Sequence, residues 1–159
     1  MLKELATNWG SYYSNHAVLR TLIAFAHVGG LVVAGGAAMV ADRAILAAVK
    51  RHDHVERTAL LESVRNTHGV VLTGLVAVMA SGLLLFFADV DTYLPSRLFW
   101  TKMGLIVLLV VNGLVLTGAE RRATINRDVS WGTLKWTAAL SLALWFATTL
   151  TGTGLLNIG

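Results

Sequence analysis

Residues 21–41 read TLIAFAHVGGLVVAGGAAMVA, without a single Asp, Glu, Lys or Arg. A hydrocarbon core about 30 Å thick is crossed by about 20 residues of α-helix. The stretch therefore reads as a transmembrane helix, and the fold follows from how often the pattern recurs. It recurs at Val70–Ala88, extendable back through His68 and Gly69, at Met103–Ala119, and from Trp136 to the C-terminal Gly159. Lys102 lengthens the third run if its ammonium snorkels to the headgroups. Period-two alternation is missing throughout, which excludes a transmembrane β-barrel.

Composition agrees. Of 159 residues, 55% are hydrophobic and 14% are charged, with a mean hydropathy of +0.65. A soluble domain carries about 25% charged residues. Disorder and an ordinary soluble enzyme are excluded. The chain has no cysteine, which removes disulfide scaffolds, thiolate zinc sites, ferredoxin-type clusters and thiol nucleophiles.

The expected fold is all-α: an integral-membrane, up-down four-helix bundle with spans near residues 17–41, 67–88, 98–119 and 134–156. These make one transmembrane domain over 17–159. Residues 1–16 (MLKELATNWGSYYSNH) read as an interfacial segment, with Trp9, Tyr12 and Tyr13 at headgroup level. The first run lies too far from Met1 to be a cleaved leader and is long enough to span. Short loops favour antiparallel neighbours.

Charge sets the expected orientation. Arg43, Lys50, Arg51, Arg57 and Arg65 follow the first span; Arg121, Arg122, Arg127 and Lys135 follow the third. The opposite side has Lys3, Arg20, Arg97 and Lys102, with Asp89 and Asp91 in its loop. By the positive-inside rule the richer side is cytoplasmic, and both termini lie outside. The basic balance is then topological and implies no nucleic-acid partner. The stretch 42–66, with Ile45, Leu46, Val49, Val55, Leu60, Leu61 and Val64, continues helix 1 into the cytoplasm.

Ionisable groups within the spans are the functional candidates. His27 lies about 10 Å inside the outer boundary, counted at 1.5 Å per residue from Arg20. Its helical neighbours Ala24, Gly30 and Ala34 are small, leaving space for a haem face or a proton-handling role; a neutral histidine bonded to a neighbouring helix is the plainer alternative. His68 opens the second span. A haem shared by His27 and His68 requires offset spans, because their depths differ by about 15–20 Å whereas two axial nitrogens sit about 4 Å apart. Met79, eleven residues after His68, returns to the same face near His27's depth, so a His27–Met79 pair is a further option. Lys102 opens the third span and is placed to snorkel or to hold an anionic group such as a propionate or lipid phosphate. Asp42 and Glu120 lie at one depth near Arg43 and Arg121, which allows an acid–arginine clasp. Asn112, at mid-bilayer, is expected to bond a facing helix. The His52-x-His54 pair reads as part of a solvated charged segment rather than as a metal motif. A ridge of Ala26, Gly30, Ala34 and Ala38, with Gly29 and Gly36 beside it, reads as helix–helix contact, or as room for a flat cofactor. The HExxH motif and the Walker A loop are missing, and no GxSxG has plausible partners.

The run His27-x-Gly29-Gly30 through Gly35-Gly36 to Asp42-Arg43 resembles the first helix of small bacterial four-helix membrane proteins of the CopD/HemJ-like group. Ser81-Gly82-Leu83-Leu84-Leu85-Phe86, Ala88-Asp89 to Tyr93, and Phe99-Trp100-Thr101-Lys102-Met103 resemble uncharacterised relatives of that group. The resemblance spans about residues 20–155 and implies a multi-pass protein of the bacterial inner (cytoplasmic) membrane. HemJ-type proteins oxidise protoporphyrinogen and use a histidine in helix 1 and a lysine opening helix 3; His27 and Lys102 are the positions that carry over. CopD-type proteins are implicated in copper handling.

The leading expectation is a b-type haem or porphyrin-binding redox component for electron transfer. His27 would be the iron ligand, Met79 and His68 further cofactor-binding candidates, and Lys102 would lie beside a propionate. The alternatives are a non-catalytic accessory subunit packed against other membrane subunits, and a permease for a metal or small solute.

Overall fold

The computed structural model describes residues 2–65, 67–125 and 131–158. Arg127 lies outside the described residues, as do the side chains of Lys3, His54 and Arg65. The described chain is helical: α1 Leu2–Asn15, α2 Ala17–Lys50, α3 His54–Arg65, α4 Thr67–Ala88, α5 Val90–Tyr93, α6 Arg97–Ile125 and α7 Trp131–Ile158. Among the described residues, four segments, anchored on α2, α4, α6 and α7, are long and apolar enough to cross a membrane.

The helix ends follow local chemistry. α2 runs for 34 residues, about 51 Å of rise at 1.5 Å per residue, and so outlasts a bilayer core. It stops where Arg51 turns extended, with ψ 149°, and α3 begins after a short break. Asp89 opens the single turn of α5 by accepting a hydrogen bond from the Thr92 amide at 3.3 Å. Pro95, the chain's only proline, separates α5 from α6. Ser96 then caps α6, its Oγ accepting from the Phe99 amide at 3.3 Å. His16, in extended conformation, separates α1 from α2.

The long helices are apolar all round, which is the pattern of a helix surrounded by lipid or protein rather than water. Val32, Val33, Leu83, Val107, Leu114, Phe146 and Leu150 all point outward. The polar and small residues Gly30, Gly74, Ser81, Asn112 and Ser141 instead face other helices, where hydrogen bonds and close packing drive association in lipid.

Neighbouring helices run antiparallel, as their contacts show. Against α4, α2 sets Gly30 beside Gly74 and Val78. Against α7, it sets Gly35 under the indole of Trp145. Asn112 of α6 donates to the Thr137 carbonyl of α7 at 2.9 Å, and Leu98 of α6 meets Gly154 of α7. The α4–α6 seam is the loosest. Side chains bridge it: His68 meets Glu120 at one end, and Phe86 stacks on Phe99 at 5.1 Å at the other.

The small-residue ridge of α2 is filled by helix contact. A methyl at Gly30 would fall 2.9 Å from Val78 Cγ2, and one at Gly74 would fall 2.9 Å from Ala34 Cβ. Gly36, by contrast, has nothing within 4 Å of its side-chain position. Thus the Gly30–Ala34 face brings two backbones together and is not room for a planar group.

Among the described residues, two apolar clusters form the core. Ala34, Ala38, Leu109, Leu144 and Trp145 pack in the middle. Ile45, Leu61, Val64, Leu116, Leu134 and Ala138 pack at the end where α3 joins. Asp42 lies on the same α2 stripe, between Ala38 and Ile45. α1 folds back onto α4, where the Trp9 indole donates to the Leu84 carbonyl at 2.9 Å.

Candidate functional site

Polar side chains gather at two levels inside the bundle. His27 and Asp42 mark them on α2, 15 positions and about 22 Å of helix rise apart.

At the first level His27 is half-buried, and its Nδ1 lies 3.1 Å from both the Val78 carbonyl and Ser81 Oγ. The Ser81 hydroxyl donates to the Ala77 carbonyl at 2.6 Å, so toward His27 it acts as an acceptor. A carbonyl can only accept. Nδ1 therefore carries the proton, and Nε2 keeps its lone pair. The edge of the ring rests on Gly82, where a methyl would come within 3.2 Å of Cε1. Lys102 reaches inward from α6 toward the same imidazole. Its Nζ occupies the space opposite Gly152 of α7, 3.3 Å from where a Cβ would stand. Thr148, one turn from Gly152 on α7, is 4% exposed, and its Oγ1 has no hydrogen-bond partner.

Met79 does not join this group. Val78 and Ser81 face α2, and Met79 follows Val78 by about 100° around the helix; it is 51% exposed. His68 lies at the opposite end of α4, with Nδ1 against the Val64 carbonyl at 3.2 Å and Nε2 3.0 Å from Glu120 Oε2. Of the four residues singled out in the sequence, the structure brings His27 and Lys102 together and holds Met79 and His68 apart from them.

The second level is set by Asp42, 1% exposed, whose carboxylate accepts a hydrogen bond from Ser141 of α7. Glu120 of α6 and His68 of α4 lie within electrostatic reach of it. The acid–arginine clasp expected from sequence is replaced: Asp42 takes Ser141 and Glu120 takes His68, while Arg43 and Arg121 are exposed. An arginine following a helix-facing acid projects about 100° away from it, toward headgroups or water. Sequence reading singled out neither Ser81 nor Ser141 as a partner of a buried ionisable group. Their signal was a hydroxyl on a helix-facing stripe, with Gly74 and Val78 beside Ser81 and with Ala138 and Trp145 beside Ser141.

As a donor set, the first level offers one free imidazole nitrogen, a nearby ammonium and hydroxyls. That fits a single axial ligand with its ring held by a carbonyl, the arrangement that orients metal-bound histidines, and a cation for an acidic substituent. Among the described residues no three His, Asp or Glu side chains converge as ligands for a metal ion. Compared with known proteins, the chain matches no family model, no curated protein and no solved structure.

Proposed function

We propose that this small multi-pass membrane protein binds a haem b or related porphyrin at the His27 level. His27 would ligate the iron through Nε2, and Lys102 would pair with a propionate. The observation that carries this reading is the fixed tautomer of His27, together with Lys102 on a facing helix. The carbonyl of Val78 holds Nδ1–H, so the free nitrogen is the one available to a ligand. The α4–α6 seam, joined by side chains rather than by close backbone contact, supports the reading, because a planar group could enter there without separating tightly packed backbones. The bound group would supply one-electron chemistry. The chain's own part is to orient the imidazole, compensate the acidic edge and keep water away with Phe86, Phe99 and the surrounding aliphatic side chains.

By the charge pattern, the His27 level faces the outer leaflet and the Asp42 level the cytoplasm, in an up-down bundle with both termini outside. The resemblance of the sequence points to the bacterial inner membrane as its location.

The test is an absorption spectrum of detergent-purified protein expressed with ample haem. A Soret band that vanishes in His27→Ala supports the reading; colourless protein sinks it.

A second reading, as an accessory subunit of a larger membrane complex, draws on one observation. Gly36 and Gly104 lie open on α2 and α6, with nothing within 4 Å, and such positions let another helix approach closely. Co-purification in fixed stoichiometry would favour it.

A further inference from the structure

The second polar level is not used by the proposed haem reading, and each long helix sends one group into it: Asp42, His68, Glu120 and Ser141. We propose that Asp42, Glu120 and His68 together hold and pass an exchangeable proton at this end of the bundle.

The His68–Glu120 contact requires a proton. His68 Nδ1 faces the Val64 carbonyl at 3.2 Å, an acceptor, so Nδ1–H is its donor. Nε2 then faces Glu120 Oε2 at 3.0 Å. A lone pair against a carboxylate oxygen at that distance is repulsive. A proton between them turns the contact into a charge-assisted hydrogen bond.

Asp42 supplies the second position. One of its oxygens accepts from Ser141, while Oδ2 is buried without a hydrogen-bond partner. An ionised, almost fully buried carboxylate with an incomplete set of donors is costly, and a proton on it removes the charge. Among the described residues, α4 offers His68, α6 offers Glu120 and α7 offers Ser141 to this point, while α3 adds Leu61 and Val64 to the adjoining apolar cluster. Arg43, next to Asp42 on α2, is exposed.

The His68 side chain is 34% exposed and that of Glu120 11%; as whole residues Glu120 is 8% and Asp42 1% exposed, so exposure falls toward Asp42. The step is a proton transfer. Asp42 Oδ2 has no partner within hydrogen-bond distance, so a water molecule must relay it. The proton leaves the Nε2–Oε2 contact and reaches Oδ2, Asp42 becomes neutral, the His68–Glu120 pair is left with one net negative charge, and solvent restores a proton to His68. Two carboxyl groups within reach of each other favour holding one proton between them.

The experiment is infrared difference spectroscopy between acid and alkaline pH, on the full chain reconstituted in phosphatidylcholine vesicles. A carboxyl C=O band that grows with acid and shifts in heavy water is expected. Asp42→Asn should abolish it, and Glu120→Gln should move its midpoint by about tenfold in proton concentration or more. His27→Ala should leave it in place, so the result is independent of haem binding. If Asp42→Asn fails to fold, the Glu120→Gln midpoint decides. The proposal is overturned if no such band exists, or if the band is unchanged in either variant that folds. Thermal stabilisation by sodium without a carboxyl band would identify a cation site instead and would also overturn it.

Discussion

The imidazole of His27 on α2 and the hydroxyl of Ser81 on α4 lie 3.1 Å apart, with the hydroxyl accepting from Nδ1. The Val78 carbonyl shares the same proton at 3.1 Å. Two acceptors from one helix thus fix a ring carried by another.

Ser81→Ala keeps the carbonyl and removes the hydroxyl, so the ring should wobble without losing its tautomer. Partners that orient a metal-bound histidine are typically worth about 10–100-fold in affinity. Haem titration followed at the Soret band should show about tenfold weaker retention. Unchanged affinity would mean that Ser81 has no part in orienting the ring.

Gly74 and Gly36 make a matched pair. A methyl at Gly74 would meet Ala34 Cβ at 2.9 Å and the Ala34 amide nitrogen at 3.0 Å, and backbone does not yield cheaply. Gly74→Ala should destabilise the protein by about 1–3 kcal/mol, the usual range for overpacking. Gly36→Ala meets nothing and should be neutral or stabilising by up to about 1 kcal/mol through helix propensity. Denaturant unfolding in detergent, read by helical circular dichroism, measures both. Equal effects at the two sites would contradict the α2–α4 packing.

Gly10 is where α1 touches α4, and a methyl there would stand 2.8 Å from the Ala88 carbonyl oxygen. Gly10→Ala should lift α1 from α4 and break the Trp9–Leu84 hydrogen bond. Limited proteolysis should then cut within residues 1–16 faster than in the wild type, while the rest of the chain stays protected. Equal cutting rates would show that α1 is not held there.

Tyr93, on the short α5 outside the long helices, carries an alkaline sensitivity. Burial pushes its phenol above the ordinary tyrosine value, and the neighbouring Asp89 and Tyr13 add to the shift. The folded state therefore holds the proton more tightly than the unfolded chain does. The stabilisation is fully present below the unfolded tyrosine value and is lost as pH rises through the folded one. Thermal melts at rising alkaline pH should show a fall in stability that Tyr93→Phe reduces, with tyrosinate absorbance tracking the wild-type change. A melt profile identical in Tyr93→Phe would refute this.

Much of the helix plan was legible in the residues. The uncharged runs beginning near Thr21, Val70, Met103 and Trp136 lie on α2, α4, α6 and α7, because hydropathy over some twenty positions depends on local composition alone. An amide at the depth of Asn112 needs a partner on a facing helix, and Asn112 reaches Thr137. Sequence leaves the ridge around Gly30 open between helix contact and cofactor space; Val78 and Gly74 of α4 fill it. Partners were harder to read. Asp42 was matched to an arginine because Arg121 is close in depth, yet rotation about α6 turns Glu120 inward and Arg121 outward.

By itself the sequence determined the number, approximate position and lipid-facing character of the long helices, since these follow from runs of apolar side chains and the need to satisfy every backbone group within a helix. Tertiary structure decided which way each helix is turned. That rotation sets His27 against Val78, Ser81 and Lys102, turns Met79 outward, and joins His68 to Glu120. It is fixed by pairwise fit between small residues and hydroxyls on different helices, information distributed over the whole chain and present in no single span.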